Sequence, residues 1–230
     1  MLNNLSIWVI LPAAILLLIL VYIFVIRPAV ILRWGATSEE ATRPLPGDDV
    51  VPHPMTGYTY AITIHAPPEK VWPWLVQMGY QRAGFYSHDF VYKLIGAYDF
   101  VDGNSARRII PELQELKVGD QIKIHSVAPF TVDELEPNRS LVLRVRANFG
   151  IGKDFTAGEA LPAQFMRITW VYALEPVDSQ TTRLIVRWRS DYTPSLGMWI
   201  GFGGFLEPGS FVMQTQMLRG IKHRAENGNQ

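Results

Sequence analysis

Residues 5–26 read LSIWVILPAAILLLILVYIFVI, a run of 22 residues without one charge. At 1.5 Å per residue a helix of this length spans roughly 33 Å, enough for a hydrocarbon core of about 30 Å. Trp8 and Tyr22 stand toward its two ends, where amphipathic rings suit the membrane–water interface. A cleaved signal peptide is the competing reading. It requires a basic leader, a shorter apolar stretch and a small-residue cleavage site. The leader MLNN holds no Lys or Arg, and IRPAVILRW is a poor cleavage site, so a retained single-pass anchor is expected. Pro12 lies in the first third of the run, where a membrane helix tolerates a kink. Arg27, Arg33 and Arg43 follow the run and no basic residue precedes it. The positive-inside rule then predicts a cell-membrane protein whose C-terminal bulk is cytoplasmic.

The 230 residues leave room for one ordinary domain beside the anchor. Hydrophobic residues at 48% and aromatics at 12% exclude a disordered chain. Lys plus Arg and Asp plus Glu are 21 each, and a net charge of zero argues against a nucleic-acid partner. The absence of cysteine excludes disulfides, thiolate zinc sites, iron–sulfur clusters and a cysteine nucleophile. It leaves the redox compartment open.

The anchor is assigned to residues 1–33, a Pro-rich linker to 34–57, the folded domain to 58–226 and a tail to 227–230. In the linker Pro44, Pro46, Pro52 and Pro54 favour extended backbone and oppose a helix. Such a segment either spaces the domain from the bilayer or packs along it as a strap. Within the domain YTYAITIHA alternates with strand period, and PPEKVWPWLVQMG opens a helix on proline and closes it on Gly79. HDFVYKLIG is a second short helix. Five strands follow: DQIKIHSV, PFTVDELEP, SLVLRVRA, FMRITWVYALEP and TTRLIVRWRSDY. Along the last three, one face carries Leu141, Leu143, Val145, Met166, Ile168, Trp170, Tyr172, Leu174, Leu184, Val186 and Trp188. The opposite face carries Arg144, Arg146, Arg167, Arg183, Arg187 and Arg189. This is the pattern of an antiparallel sheet buried on one side. A final helix over 210–226 shows an apolar stripe at Met213, Met217 and Ile221.

This order, with APPEKVWPWLVQMGYQRAGFYSHD, PELQELKVGD and FVMQTQMLRGIKHRAE, resembles the SRPBCC superfamily. That START-like group includes polyketide cyclases, lipid-transfer domains and the birch pollen allergen. The linker RWGATSEEATRPLPGDD is similar to that of a membrane-tethered bacterial subgroup. The resemblance covers roughly 34–226. It implies an α+β helix-grip fold, a curved antiparallel sheet wrapped on a long C-terminal helix. It also implies an apolar cavity between the two. Its motifs specify a fold and no reaction.

Met166, Trp170, Tyr172, Trp188, Met213 and Met217 are therefore the candidate ligand-binding residues. Their periodic spacing also fits a filled core, and the resemblance tips the reading toward a cavity. The expected occupant is an apolar small molecule or lipid. Weak catalytic candidates are His88 and Tyr86 in GFYSHDF, where Asp89 is more simply a helix-start residue. The other histidines have no ligand spacing, so neither a metal nor a cofactor is expected. Two surfaces are candidates for the bilayer. One is the apolar connection TPSLGMWIGFGGFLEP, 193–208, expected as a loop with Trp199 and Phe202 as interface residues. The other is the arginine face, with Arg144, Arg146 and Arg187 offered to anionic lipid. A binding protein, an accessory subunit docked on other membrane-protein subunits, and a cyclase-like enzyme are the three functional readings.

Overall fold

A computed structural model describes residues 2–150, 152–156 and 159–228. Helix α1, Leu2–Val21, continues through a wider π-type stretch, Tyr22–Ile31, that contains Pro28. Within Ile7–Ile31 the most apolar 18 residues have a mean hydropathy of 3.2, and the side chains from Ile7 to Leu20 face outward, while Ile31 at the end is buried. This is the one helix among the described residues long and apolar enough to cross a membrane.

The domain is the expected α+β helix-grip arrangement. Strands β1 (Thr56–Ile64), β2 (Gln121–His125), β3 (Ala128–Glu136), β4 (Ser140–Asn148), β6 (Phe165–Asp178) and β7 (Thr181–Tyr192) form one antiparallel sheet. Their order is β1-β7-β6-β4-β3-β2, and the short β5, Lys153–Asp154, pairs with β4. Between β1 and β2 lie α3 (Pro68–Val76) and α4 (Asp89–Leu94). Helix α6, Glu207–Asn227, packs across the inner face.

The alternation along each strand fixes the register. Leu143 pairs with Trp170, Trp170 with Trp188, and Trp188 with Tyr58. All join one core with Met217, Leu218 and Ile221 of α6. Each buried aliphatic of this face, Leu143 among them, contributes about 1.5–3 kcal/mol relative to exposure. The helix approaches closely where Gly220 crosses Tyr86: a Cβ there would lie 2.0 Å from the Tyr86 carbonyl oxygen.

The linker is not a free tether. Leu32 and Trp34 accept backbone hydrogen bonds from Thr59 and Ala61, at 2.9 and 3.1 Å, which covers the outer edge of β1. Gly35, at φ +69°, lies against the Ala61 carbonyl, where a Cβ would sit 2.2 Å away. A short helix α2, Ser38–Thr42, then forms despite the prolines that follow. Thr37 and Glu40 close a reciprocal capping box, and Arg43 turns extended before Pro44. From there Leu45 and Val51 are buried, and Leu45 packs on Ala61, Ala173 and Ile185 at the back of the sheet.

That strap corrects the reading of the arginine face. Arg183 pairs with Glu40 at 2.7 Å, and Arg187 and Arg189 with Asp48 at 2.5 and 3.3 Å. Arg144 pairs with Asp133, and Arg167 with Asp191 at 2.6 Å. Arg187 is only 3% exposed and also donates to Thr59 and to the Arg43 and Glu40 carbonyls. It is not available to a lipid surface. Arg146, half-buried opposite Arg167, is the one arginine of the six without an ion pair among the described residues. Burial and the neighbouring Arg144 charge lower its pKa.

Candidate functional site: an apolar cavity under the C-terminal helix

A cavity of about 410 Å³ opens between the sheet, α4 and the first turns of α6. Trp170 and Trp188 form its floor on adjacent strands, their ring centroids 5.9 Å apart. Met213, Gln214 and Met217 form its roof on α6. Of the six expected lining residues, the structure brings together Trp170, Trp188, Met213 and Met217. Tyr172 is fully buried one step deeper, its hydroxyl 3.9 Å from the Met217 sulfur. Met166 is half-buried on the core margin, paired across to Tyr192, and does not line the cavity.

Two walls were not anticipated. Val91, Tyr92 and Ile95 of α4 form one, with Ile124 of β2 beside them. Their signal was the apolar spacing i, i+1, i+4 in a helix already recognised. The other is the segment expected to be a loop. Residues 196–206 are helical: α5, Leu196–Trp199, runs through a π-type stretch, Ile200–Leu206, directly into α6. Ser195 caps it by accepting from the Met198 amide at 3.2 Å. Gly201, Phe205, Leu206 and Gly209 of this extension line the cavity mouth.

The extension is apolar and outward-facing, with Trp199 66% and Phe205 74% exposed. Phe202 points back instead and stacks on Tyr192 at 4.3 Å. Of the two expected interface residues, Trp199 is free and Phe202 packs on its own domain.

The end of the apolar N-terminal helix reaches this same region. Arg27 donates two hydrogen bonds, 2.7 and 2.8 Å, to the buried Glu207 carboxylate. The Tyr60 hydroxyl donates to the Ile31 carbonyl at 2.7 Å. Leu206 and Gly209, both cavity residues, flank the turn that holds Arg27.

The weak catalytic candidates lie elsewhere. Tyr86 is buried at φ +56°, donates its hydroxyl to the Trp74 carbonyl at 3.0 Å and stacks under Arg224. Burial pushes its phenol well above the usual range. His88 precedes α4 with its ring against Phe90. The Asp89 carboxylate is taken up by the Ser105 amide and hydroxyl, at 2.9 and 2.6 Å, so it does not orient His88. Neither Tyr86 nor His88 lines the cavity. No cluster of metal-ligating side chains occurs among the described residues.

No protein-family model matches the chain. No curated protein matches it. Solved structures with a similar backbone course include a protein from Mesorhizobium loti, 17% identical, at a TM-score of 0.42. That likeness covers 76% of this chain and 100% of the other. A conserved protein from Geobacillus kaustophilus is 14% identical, with 74% and 93% covered and a TM-score of 0.39. The Aha1 dimer from Colwellia psychrerythraea is 18% identical, with 76% and 100% covered and a TM-score of 0.37.

Proposed function

We propose that this chain is a membrane-anchored binding protein that holds an apolar small molecule or lipid beneath its C-terminal helix. The observation that carries the reading is the open apolar cavity whose mouth adjoins the turn clamping Arg27 at the end of the anchor helix. A volume near 410 Å³ falls in the range of small-molecule sites, roughly 300–1,000 Å³. The anchor holds the mouth near the bilayer, and exposed Trp199 and Phe205 suit contact with lipid. An apolar ligand then moves between bilayer and cavity without crossing water. The basic residues after the anchor support a cytoplasmic domain.

Native mass spectrometry of the protein released gently from its own membranes tests this. The expected spectrum contains one added apolar mass per chain. A bare chain attached to other proteins would instead make it an accessory subunit.

A further inference from the structure

We infer that the end of the sheet around the cavity mouth docks on the bilayer surface, with the β2–β3 turn and the end of β4 as contact points beside α4 and the 196–206 extension. The inference rests on the membrane-anchored reading above and deepens it by naming the face that the domain turns to lipid.

Strand register gathers these segments at one end of the sheet. Leu32 and Trp34 accept from Thr59 and Ala61, so 32–34 runs alongside β1 in the same direction, and the N-terminal helix lies beyond the Thr56 end. Thr56 pairs with Ser190 near the end of β7, and Ser190 with Ile168 near the start of β6. Phe165 then pairs with Asn148 at the end of β4. Thr131 pairs with Arg144, which brings the start of β3 and the β2–β3 turn to the same end. The 196–206 extension leaves β7 there. Helix α4 closes on it as well. Ile95 and Ile124 line the cavity together, and a Cβ on Gly96 would lie 3.8 Å from His125 Nε2.

Exposed apolar side chains crowd this end. Leu94 of α4 is 84% exposed, Val127 in the β2–β3 turn 83% and Phe149 just after β4 53%, with Leu196, Trp199 and Phe205 on the extension. Turns ordinarily carry Gly, Asn, Asp or Ser, so a bare valine there calls for a partner. The opposite end of the sheet turns on polar segments: Arg139 pairs with Glu136, and the Gln180 amide donates to Asp178 at 2.7 Å. The occupant indicated for the apolar end is lipid, because the helix long and apolar enough to cross a membrane leaves the domain at that same end. Asp154, exposed on the adjoining β5, keeps the contact shallow, at the boundary of headgroups and acyl chains. From β1 to β3 the sheet order leaves roughly 19 Å at ordinary strand spacing. A tether at β1 and a lipid contact at the β2–β3 turn thus hold the domain at two separated points, which a tether alone does not, and the mouth between them is held against the bilayer.

The chain holds no cysteine, so single nitroxide labels report one position each. The test uses the full-length protein in phosphatidylcholine vesicles containing phosphatidylglycerol, labelled in turn at Leu94→Cys, Val127→Cys and Phe149→Cys. Ser179→Cys marks the opposite end and Leu17→Cys the apolar N-terminal run. All five positions are exposed, so the substitutions leave the packing alone. Paramagnetic relaxation compares oxygen, which concentrates in lipid, with a nickel chelate, which stays in water. Oxygen should outweigh the chelate at Leu94, Val127 and Phe149, less strongly than at Leu17, and the order should invert at Ser179. A Val127 or Phe149 label as open to the chelate as the Ser179 label, with Leu17 in lipid, would overturn the docking face and leave the anchor standing. Lipid contact at Ser179 would overturn it equally. A Leu17 label open to the chelate would remove the membrane-anchored reading itself, and the inference with it.

Discussion

Arg27 and Glu207, 180 positions apart in sequence, meet as a two-bond ion pair that joins the end of the apolar N-terminal helix to the first turn of the C-terminal helix. Glu207 is buried, and Arg27 is the partner that offsets its charge. The pair therefore fixes the end of the N-terminal helix beside the cavity mouth. Arg27→Ala should destabilise the domain by about 3 kcal/mol, because it leaves a buried carboxylate without its counter-charge. Adding Glu207→Gln to it should restore most of the loss, a non-additivity read by thermal unfolding of all three variants.

Gly220 should not tolerate even a methyl group. Its Cβ would meet the carbonyl oxygen of Tyr86, itself in the left-handed region, so one of the two backbones would have to shift. Gly220→Ala is expected to cost about 1–3 kcal/mol or more, from overpacking where α6 crosses the 79–88 turn. Chemical denaturation measures it. A neutral result would mean that α6 does not lie this close.

Met217→Ala enlarges a cavity that already exists, so part of the usual packing loss has been conceded. The expected cost lies near the lower end of the range for such changes, about 2 kcal/mol. Bulkier apolar ligands should gain relative to slender ones, as read by competition between probes of different width.

The Glu40 carboxyl titrates below its ordinary value of 4.5 because Arg183 donates to it and the Thr37 amide adds a further bond, with burial opposing. A depressed carboxylate pKa stabilises the fold at pH above the ordinary value, and that contribution is lost as the pH falls through the folded value. The melting temperature should therefore drop on acidification below about pH 4.5 as the strap loosens from the sheet. Glu40→Gln should lower it at pH 7 and show a smaller drop in acid. Equal slopes in the two proteins would count against the clasp.

Most of the sheet was legible because every inward position of β4, β6 and β7, from Leu141 to Trp188, is apolar at period two, although Val142, Val171 and Ile185 on the outer face are apolar as well. The strap was not. Glu40 and Asp48 lie more than a hundred residues from Arg183 and Arg187, and a proline-rich segment carries no periodicity to show which surface it covers. A face of arginines therefore read as solvent-facing. The 196–206 helix was hidden by Gly201, Gly203 and Gly204, each a poor helix former. It forms where α6 continues it and Phe202 stacks on Tyr192. At the cavity, the floor and roof were visible as apolar stripes. The α4 wall carried its own apolar spacing, but that it closes this cavity depends on tertiary placement.

Gly209 offers the most direct test of the cavity. It lines the mouth, and a Cβ added there meets nothing within 4 Å. Gly209→Leu should thus fill the opening without strain and, with a better helix former in α6, leave the fold at least as stable. Lipid extraction and mass spectrometry of wild type and Gly209→Leu, purified side by side from the same membranes, compare their bound apolar content per chain. The prediction is about one molecule per wild-type chain and a clear loss in the variant at an unchanged melting temperature. Equal apolar content in the two proteins, or none above that of the isolated N-terminal helix, would contradict a ligand held under the C-terminal helix.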